Sequence, residues 1–147
     1  MLRSARAEQK TATSRTCNLL VFSVGGRALA AKTDEVGGIS NWEGSIPVPS
    51  RTPFVTAVVR KDDAVLPVFN LAGLLQVVAQ GEELLCLTAK QRNGMMAICI
   101  DADMPVLYTV EVSAIAPYRG HEFKAVGTFL NGLDEVPILS LAQLGTA

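Results

Sequence analysis

The side chains that most often do chemistry at neutral pH are scarce in this 147-residue sequence. It has one histidine, His121, and three cysteines, Cys17, Cys86 and Cys99. A cysteine nucleophile needs a base beside it in space, but Cys86 and Cys99 fall in apolar segments, where thiols pack as small hydrophobic groups. The cysteine spacing matches no metal-binding pattern. We therefore expect no catalytic residue, no metal and no cofactor.

Gly25-Gly26 is the glycine pair best placed to bind a phosphate group. A phosphate-binding loop joins a strand to a helix, whereas residues 19–24 and 27–31 on either side of the pair both have strand-like composition. Two adjacent glycines between two strands instead predict a tight hairpin turn, because such turns need positive φ angles. The pair therefore predicts structure rather than ligand binding.

Charge is distributed unevenly along the chain. Residues 1–16 carry four basic residues and one acidic residue, a net charge of +3, and the rest carry nine basic and 13 acidic residues, a net charge of −4. An acidic body does not attract phosphate backbones, so we expect no nucleic-acid partner. No apolar run reaches the ~18 residues of a membrane-spanning helix, so we expect no membrane insertion. The odd number of cysteines favours a reducing compartment, and we expect a cytoplasmic location.

Short apolar runs bounded by turn residues predict eight strands. They cover residues 19–24, 27–31, 54–60, 64–69, 84–89, 95–100, 123–130 and 135–139. Thr33 is expected to cap one helical turn that ends at Gly37-Gly38. Asn70 is expected to cap a short helix with Leu71, Leu74, Leu75 and Val78 on one face.

The two halves of the sequence resemble each other. Residues 66–74 reappear as residues 136–144, a shift of 70, and Gly25-Gly26 and Asn93-Gly94 are shifted by 68. Chance similarity among strands rich in Leu and Val is the alternative to a true repeat. A repeat predicts an all-β fold with a few short helices, in which two small five-stranded barrels pack together. We expect a flexible tail over residues 1–17 and one domain over residues 18–147. Its lobes are expected at about 18–80 and 81–147, intertwined at the edges.

The order of these motifs resembles that of the CheW family. The matching segments are residues 20–25, Val36, 48–49, 53–55, 65–71, 97–101, 115–117 and 136–144, which span about residues 19–145. CheW-like proteins are adaptors that couple chemoreceptors to a CheA-type histidine kinase. The resemblance implies two SH3-like barrels with a hydrophobic groove between them. It also implies that one barrel contacts the regulatory domain of the kinase and that a neighbouring surface binds the cytoplasmic tip of a receptor.

One segment departs from the family pattern. The family usually reads Gly-Val-Ile-Asn-Leu-Arg-Gly where this chain has residues 57–63, so Asp62 replaces an arginine that helps to order the receptor-facing surface. This replacement reverses a charge and removes a planar group with five donors. It puts the receptor contact in doubt more than the fold.

Seven residues are the candidates for partner binding: Val36, Gly38, Trp42, Val58, Arg60, Lys61 and Asp62. Three of them have an alternative interpretation. Val36 could plug one end of a barrel, and Trp42 could pack inward rather than face a partner. Asp62 could belong to an ordinary solvated turn, or to a tip altered for a different partner.

Three functional hypotheses follow. The first is an adaptor in bacterial chemotaxis that couples receptors to the kinase. The second is a specialised CheW-like adaptor of a non-flagellar pathway (pili, surface motility or gene regulation) with altered receptor coupling. The third, from another class, is a redox-responsive or small-molecule module that uses Cys86 or Cys99.

Overall fold

A computed structural model describes residues 15–92 and 94–145 of the chain. Strands dominate the described residues, with one α-helix and three single-turn 3₁₀ helices. Most of the predicted tail lies outside the described residues, and its last two residues, 16 and 17, already belong to the first strand. In this part of the chain no helix is both long and apolar enough to cross a membrane.

The first of the two sheets forms the body that we call lobe A. Its strands, in spatial order, are β10 (Ala125–Asn131), β11 (Asp134–Leu139), β2 (Arg27–Lys32), β1 (Thr16–Val24) and β9 (Val106–Glu111). All neighbouring pairs are antiparallel except β11 and β2, which are parallel. Tyr108 on β9 contacts Phe129 on β10, so side chains close the sheet into a barrel.

The second sheet forms lobe B. Its strands, in spatial order, are β3 (Val36–Asn41), β7 (Leu85–Gln91), β8 (Gly94–Ile100), β6 (Ala64–Phe69), β5 (Val55–Lys61) and β4 (Ile46–Pro47). Here the parallel pair is β6 and β8. The expectation of two curled β lobes is therefore confirmed, but lobe B has six strands rather than the predicted five, because the two-residue β4 pairs with β5.

The lobes do not follow the predicted division into residues 18–80 and 81–147. The β1–β2 hairpin of the first half joins the second half's strands in lobe A, and the β7–β8 hairpin of the second half joins the first half's strands in lobe B. The repeat itself is present in the structure, because β5 has a bulge between Val55 and Ala57 and β10 has one between Ala125 and Gly127, shifted by 70. Each half therefore contributes its first hairpin to the other half's lobe.

Several predicted turns and caps are confirmed. Gly25 and Gly26 join β1 to β2 with φ angles of 63° and 81°. A side chain at Gly25 would also clash, since its Cβ would lie 2.5 Å from Cβ of Val77. The short helix α1 (Leu71–Leu75) is capped by Asn70, whose Oδ1 accepts a hydrogen bond from the backbone N–H of Gly73 at 3.0 Å.

Two local predictions are wrong. The turn after β2 is a 3₁₀ helix (Thr33–Glu35) with no side-chain cap, and the two glycines expected to end it lie within β3, where a bulge interrupts the pairing between Val36 and Gly38. Helix α1 ends at Leu75, because Gln76 adopts a left-handed conformation with φ 59°. Val78 therefore lies outside the helix and is 81% exposed.

The main hydrophobic core lies between the lobes. Strands β1, β2, β7 and β8 bury both faces, so one face of each reaches this core and the other fills its own barrel. Each barrel also has an inner cluster. In lobe A its buried members are Leu19, Ala30, Phe129, Val136 and Ile138. In lobe B they are Val59, Val68, Cys86 and Ala97.

Asp101 links lobe B to lobe A through hydrogen bonds. Its side chain is 2% exposed and accepts three backbone hydrogen bonds, from Gly25 and Gln80 at 2.8 Å and from Gly26 at 2.7 Å. Burial favours the protonated acid, but the hydrogen bonds from Gly26, Gln80 and Gly25 outweigh it and hold the pKa of Asp101 below its ordinary value of 3.8. The carboxylate thus ties the end of β8 to the β1–β2 turn.

Candidate partner-binding surface

The turn between β5 and β6 forms the tip of lobe B and carries three of the predicted residues. Lys61 pairs with Ala64, which leaves Asp62 and Asp63 as a two-residue loop. Asp62 has a φ of 54°, in the left-handed region that Asp tolerates better than most residues. Arg60, Asp62 and Asp63 are exposed, and the described residues provide no ion-pair partner for any of them.

Lys61 points across the barrel rather than into solvent. Strands β3 and β5 are not hydrogen-bonded neighbours in the sheet, and Nζ of Lys61 donates a hydrogen bond to Oγ of Ser40 across the seam between them. This bond holds the ammonium group against β3. The free charges at the outer tip are therefore those of Arg60 and the two aspartates.

A depression of about 560 Å³ lies between β3 and this turn. Its walls are formed by Gly37, Gly38, Ile39, Lys61, Asp62, Asp63, Ala64, Leu66, Thr88 and Met95. Gly38 contributes only backbone, and its carbonyl accepts a hydrogen bond from Oγ1 of Thr88 at 3.2 Å. The structure thus places Gly38, Lys61 and Asp62 around one mostly apolar hollow.

A smaller cavity of about 100 Å³ shares Lys61 and Asp62 with the depression. It is lined by Ser40, Asn41, Trp42, Glu43, Gly44, Val59, Arg60, Lys61, Asp62 and Cys86. Five of the seven predicted residues, Gly38, Trp42, Arg60, Lys61 and Asp62, therefore line these two connected hollows.

The other two candidates lie elsewhere. Val36 is half-buried and packs against the main core, as its alternative interpretation proposed. Val58 is half-buried on β5 between Ile46 and Pro67, and it lines neither hollow. Val36 adjoins Gly37 on β3 but, like Val58, it lines neither hollow.

Trp42 packs inward and also reaches the surface. Its backbone N–H donates to the carbonyl of Leu84 at 2.9 Å, and its side chain packs against the inner cluster of lobe B. It also lines a groove of about 430 Å³ beside α1. The two interpretations of Trp42 are therefore compatible, because this residue both packs against the inner cluster and lines the groove.

Sequence reasoning missed the residues that shape the hollows. Ile39, Thr88 and Met95 line the depression, and Ser40 anchors Lys61. Thr88 and Met95 belong to a different hairpin from Lys61, so no local motif connects them. The internal repeat was the only sequence feature that could have indicated these residues, because it predicts which strands of the two halves occupy equivalent positions.

The thiols are poorly suited to nucleophilic chemistry. Cys86 and Cys99 are register partners on β7 and β8. Burial raises the pKa of Cys86 above its ordinary value of 9.0, although nearby Lys61 acts in the opposite direction. Burial, followed by the neighbouring Cys86 and Asp101, raises the pKa of Cys99 to about 11. Both thiols are therefore protonated at neutral pH, and a protonated thiol is a weak nucleophile.

No other group in the described residues marks a reaction centre. His121 lies exposed in the loop before β10. Within residues 15–92 and 94–145, no cluster of three or more His, Cys, Asp or Glu side chains could hold a metal ion. Every buried side-chain nitrogen and oxygen atom there has a hydrogen-bond partner. The described residues therefore show no catalytic or metal-binding arrangement beside the hollows at the tip of lobe B.

Comparison with known proteins places the chain in a family. The family model of the CheW-like domain matches residues 18–144. The chain belongs to the CheW-like domain family. The CheW-like fold is also found in the scaffolding protein TtCheW from Thermoanaerobacter tengcongensis, whose crystal structure has a TM-score of 0.74, 14% sequence identity, and coverage of 90% of this chain and 94% of that one. No curated protein matches this CheW-like chain by sequence.

Proposed function

We propose that this protein is a non-catalytic adaptor in a bacterial chemotaxis system that couples chemoreceptors to a CheA-type histidine kinase. The observation that carries the proposal is the family match over residues 18–144, which covers both lobes. Its partners are the regulatory domain of the kinase and the cytoplasmic tip of a receptor, and its location is the cytoplasm. Binding needs no metal, cofactor or nucleic acid.

The outer surface of lobe A suits contact with the kinase. Leu107 and Leu130 are 70% and 68% exposed, and Leu133 in the β10–β11 turn is fully exposed. Leu107 adjoins Tyr108, and Leu130 lies between Phe129 and Asn131, which both contact Tyr108, so the two leucines flank one seam. Exposed leucines grouped in this way mark surfaces that another protein covers.

Calorimetric titration tests the proposal directly. The full chain is titrated into the regulatory domain of the CheA-type kinase encoded in the same genome. We expect a dissociation constant in the micromolar range and a negative heat-capacity change from apolar burial. The Leu133→Asp variant should weaken binding at least tenfold, whereas Val65→Asp, at an apolar position on lobe B that is 63% exposed, should not. Absence of binding between two folded proteins would refute the adaptor function and leave the fold unaffected.

A second candidate function is an adaptor of a non-flagellar chemosensory pathway with altered receptor coupling. The observation that favours it is Asp62, an exposed carboxylate at the tip where the family has an arginine. Pilus or surface-motility genes beside this gene would support the second candidate, and flagellar chemotaxis genes would support the first.

Binding to a receptor tip distinguishes the candidates at the protein level. Under the second candidate, Asp62→Arg strengthens binding to an ordinary chemoreceptor tip, because it restores the family's charge. The left-handed backbone at Asp62 disfavours arginine, so Asp62→Asn serves as the control that removes the charge without this strain. Unchanged or weaker binding by Asp62→Arg, with the variant shown to be folded, would contradict the second candidate.

A further inference from the structure

Three buried inner positions hold smaller side chains in lobe B than in lobe A. The β5–β6 hairpin maps onto β10–β11 with a shift of 70, and β7–β8 maps onto β1–β2 with a shift of 67, as the two parallel pairings show. Three inner positions of lobe A hold Phe129, Ile138 and Leu19. Their lobe B equivalents are Val59, Val68 and Cys86, which are all smaller.

The seam of each barrel is the line along which strands meet without backbone pairing. The side chains at this seam are also smaller in lobe B. In lobe A, Tyr108 packs against Phe129 with ring centroids 6.2 Å apart, and its hydroxyl accepts a hydrogen bond from Nδ2 of Asn131 at 3.2 Å. In lobe B the equivalent bond joins Lys61 to Ser40. Lobe B therefore has a hydroxymethyl group where lobe A has a phenol ring.

Glycine opens the seam of lobe B further. Gly38 pairs with Thr88, and the equivalent pair in lobe A is Val106 with Val21. A Cβ added at Gly38 would meet only Oγ1 of Thr88, at 3.7 Å, which is ordinary van der Waals contact. Gly38 thus leaves open a space that a side chain could occupy, and that space is the 560 Å³ depression.

The charges at the rim of the depression stand at two turn positions that are uncharged in lobe A. Asp62 and Asp63 are exposed and have no ion-pair partner among the described residues, while Lys61 is held against Ser40. The equivalent turn of lobe A has Gly132 and Leu133, which carry no charge. An apolar hollow with two free carboxylates at its edge is complementary to an apolar side chain with a cation beside it.

We propose that the depression of lobe B binds a protein segment in which a large apolar side chain is followed or preceded by a lysine or arginine. The apolar side chain occupies the space beside Gly38, and the basic side chain pairs with Asp62 and Asp63. This inference rests on the proposed adaptor function only in that the occupant belongs to a partner protein. It identifies the chemistry of that partner at the tip of lobe B.

Two short peptides provide the test. The full chain, labelled with ¹⁵N, is titrated at low salt with acetyl-Gly-Lys-Leu-Lys-Gly-amide and with acetyl-Gly-Glu-Leu-Glu-Gly-amide. We expect saturable shifts of the amide signals of Gly37, Gly38 and Asp62 with the basic peptide. The acidic peptide should bind about tenfold more weakly, since two exposed attractive contacts become repulsive. High salt should reduce this preference.

Three variants separate shape from charge. Gly38→Val introduces the lobe A side chain and should abolish the saturable shifts with both peptides. Asp62→Asn keeps a residue that tolerates the left-handed turn and should reduce the preference for the basic peptide several-fold. Asp134→Asn, which removes an exposed carboxylate beside the equivalent turn of lobe A, is the matched control and should bind like the unaltered chain.

The results that would overturn the inference are specific. They are shifts that do not saturate or that map away from the depression, equal affinity for the two peptides, and peptide binding that survives Gly38→Val. Shifts that depend on protein concentration without peptide would show instead that a second copy of this chain occupies the depression. If the peptides fail while the kinase domain still binds in the calorimeter, this inference is wrong and the adaptor function stands.

Discussion

The turns at the tips of the two lobes occupy equivalent positions but carry opposite kinds of residue. In lobe B the turn is Asp62-Asp63, beside a depression lined by glycine backbone. In lobe A it is Gly132-Leu133, beside a seam closed by Tyr108 and Phe129. Gly132 and Asp62 both have positive φ, at 68° and 54°, so the backbone requirement is shared. The backbone of the repeat constrains the turn and leaves the side chains free to diverge.

The same contrast extends into the barrels. Lobe A fills its interior with large side chains, so we expect its inner cluster to contribute more to stability. Lobe B has smaller inner side chains and two hollows at its seam, so we expect it to contribute less to stability and more to recognition. Measurements on variants of both lobes would strengthen or remove this difference between a stabilising lobe A and a recognising lobe B.

The largest expected effect comes from truncating the inner cluster of lobe A. Phe129 is 4% exposed and contacts Tyr108, so Phe129→Ala should lower the free energy of unfolding by about 3–5 kcal/mol. The equivalent Val59→Ala in lobe B should cost about 2 kcal/mol, because fewer methyl groups lose contact. Urea denaturation at pH 7 measures both values. Equal losses would show that the two barrels contribute alike.

A smaller effect is expected at Asp101, whose hydrogen bonds link the two lobes. Asp101→Asn should cost about 2–3 kcal/mol, since the amide can no longer accept all three backbone N–H groups that the carboxylate binds. Asp34 occupies the equivalent position after β2 and is exposed, with no hydrogen bond to it among the described residues. Asp34→Asn is therefore the matched control and should leave stability unchanged within error.

Low pH should weaken the same hydrogen bonds between Asp101 and the backbone. The folded-state pKa of Asp101 lies below 3.8, so its contribution to stability is fully present above pH 3.8 and is lost as the pH falls through the folded-state value. Unfolding curves measured between pH 7 and pH 2 should bring the unaltered chain and Asp101→Asn together at the acid end. A constant difference over the whole range would contradict the role of the charge.

The smallest effect is expected at the surface of lobe A. Arg27 donates two hydrogen bonds to Glu122, at 2.9 and 3.1 Å, and lies over the ring of Phe123. Both charged side chains are more than a third exposed, so Arg27→Lys should cost less than about 1 kcal/mol and the loss should shrink in 0.5 M salt. A loss that is large or independent of salt would mean that this pair acts as part of the core.

Local sequence patterns predicted the elements that depend on neighbours in the chain. The Gly25-Gly26 turn and the Asn70 cap are confirmed, because a positive φ and a side-chain cap need only a few adjacent residues. The end of α1 and the position of Val78 were predicted wrongly, because only the left-handed Gln76 shows where that helix stops. Residues 74–80 contain no glycine that would indicate this end.

The binding role of the candidate residues stays a prediction. Arg60, Lys61 and Asp62 were chosen from the sequence because they adjoin each other in a segment that departs from the family pattern. Ser40, Thr88 and Met95 were not chosen, because they reach the tip from β3, β7 and β8, at distant positions in the sequence. Val58 was also chosen, but it lines neither hollow.

The sequence by itself determined the strand pattern, the repeat and the charged turn at Asp62. All of these depend on residue types and short spacings. Only the tertiary structure decided that the two halves exchange their first hairpins, because parallel pairing of Val68 with Ala97 and of Ile138 with Ala30 leaves no mark in either strand alone. It also decided where the depression of lobe B lies. Its walls come from separate hairpins, so it exists only when these hairpins are packed together.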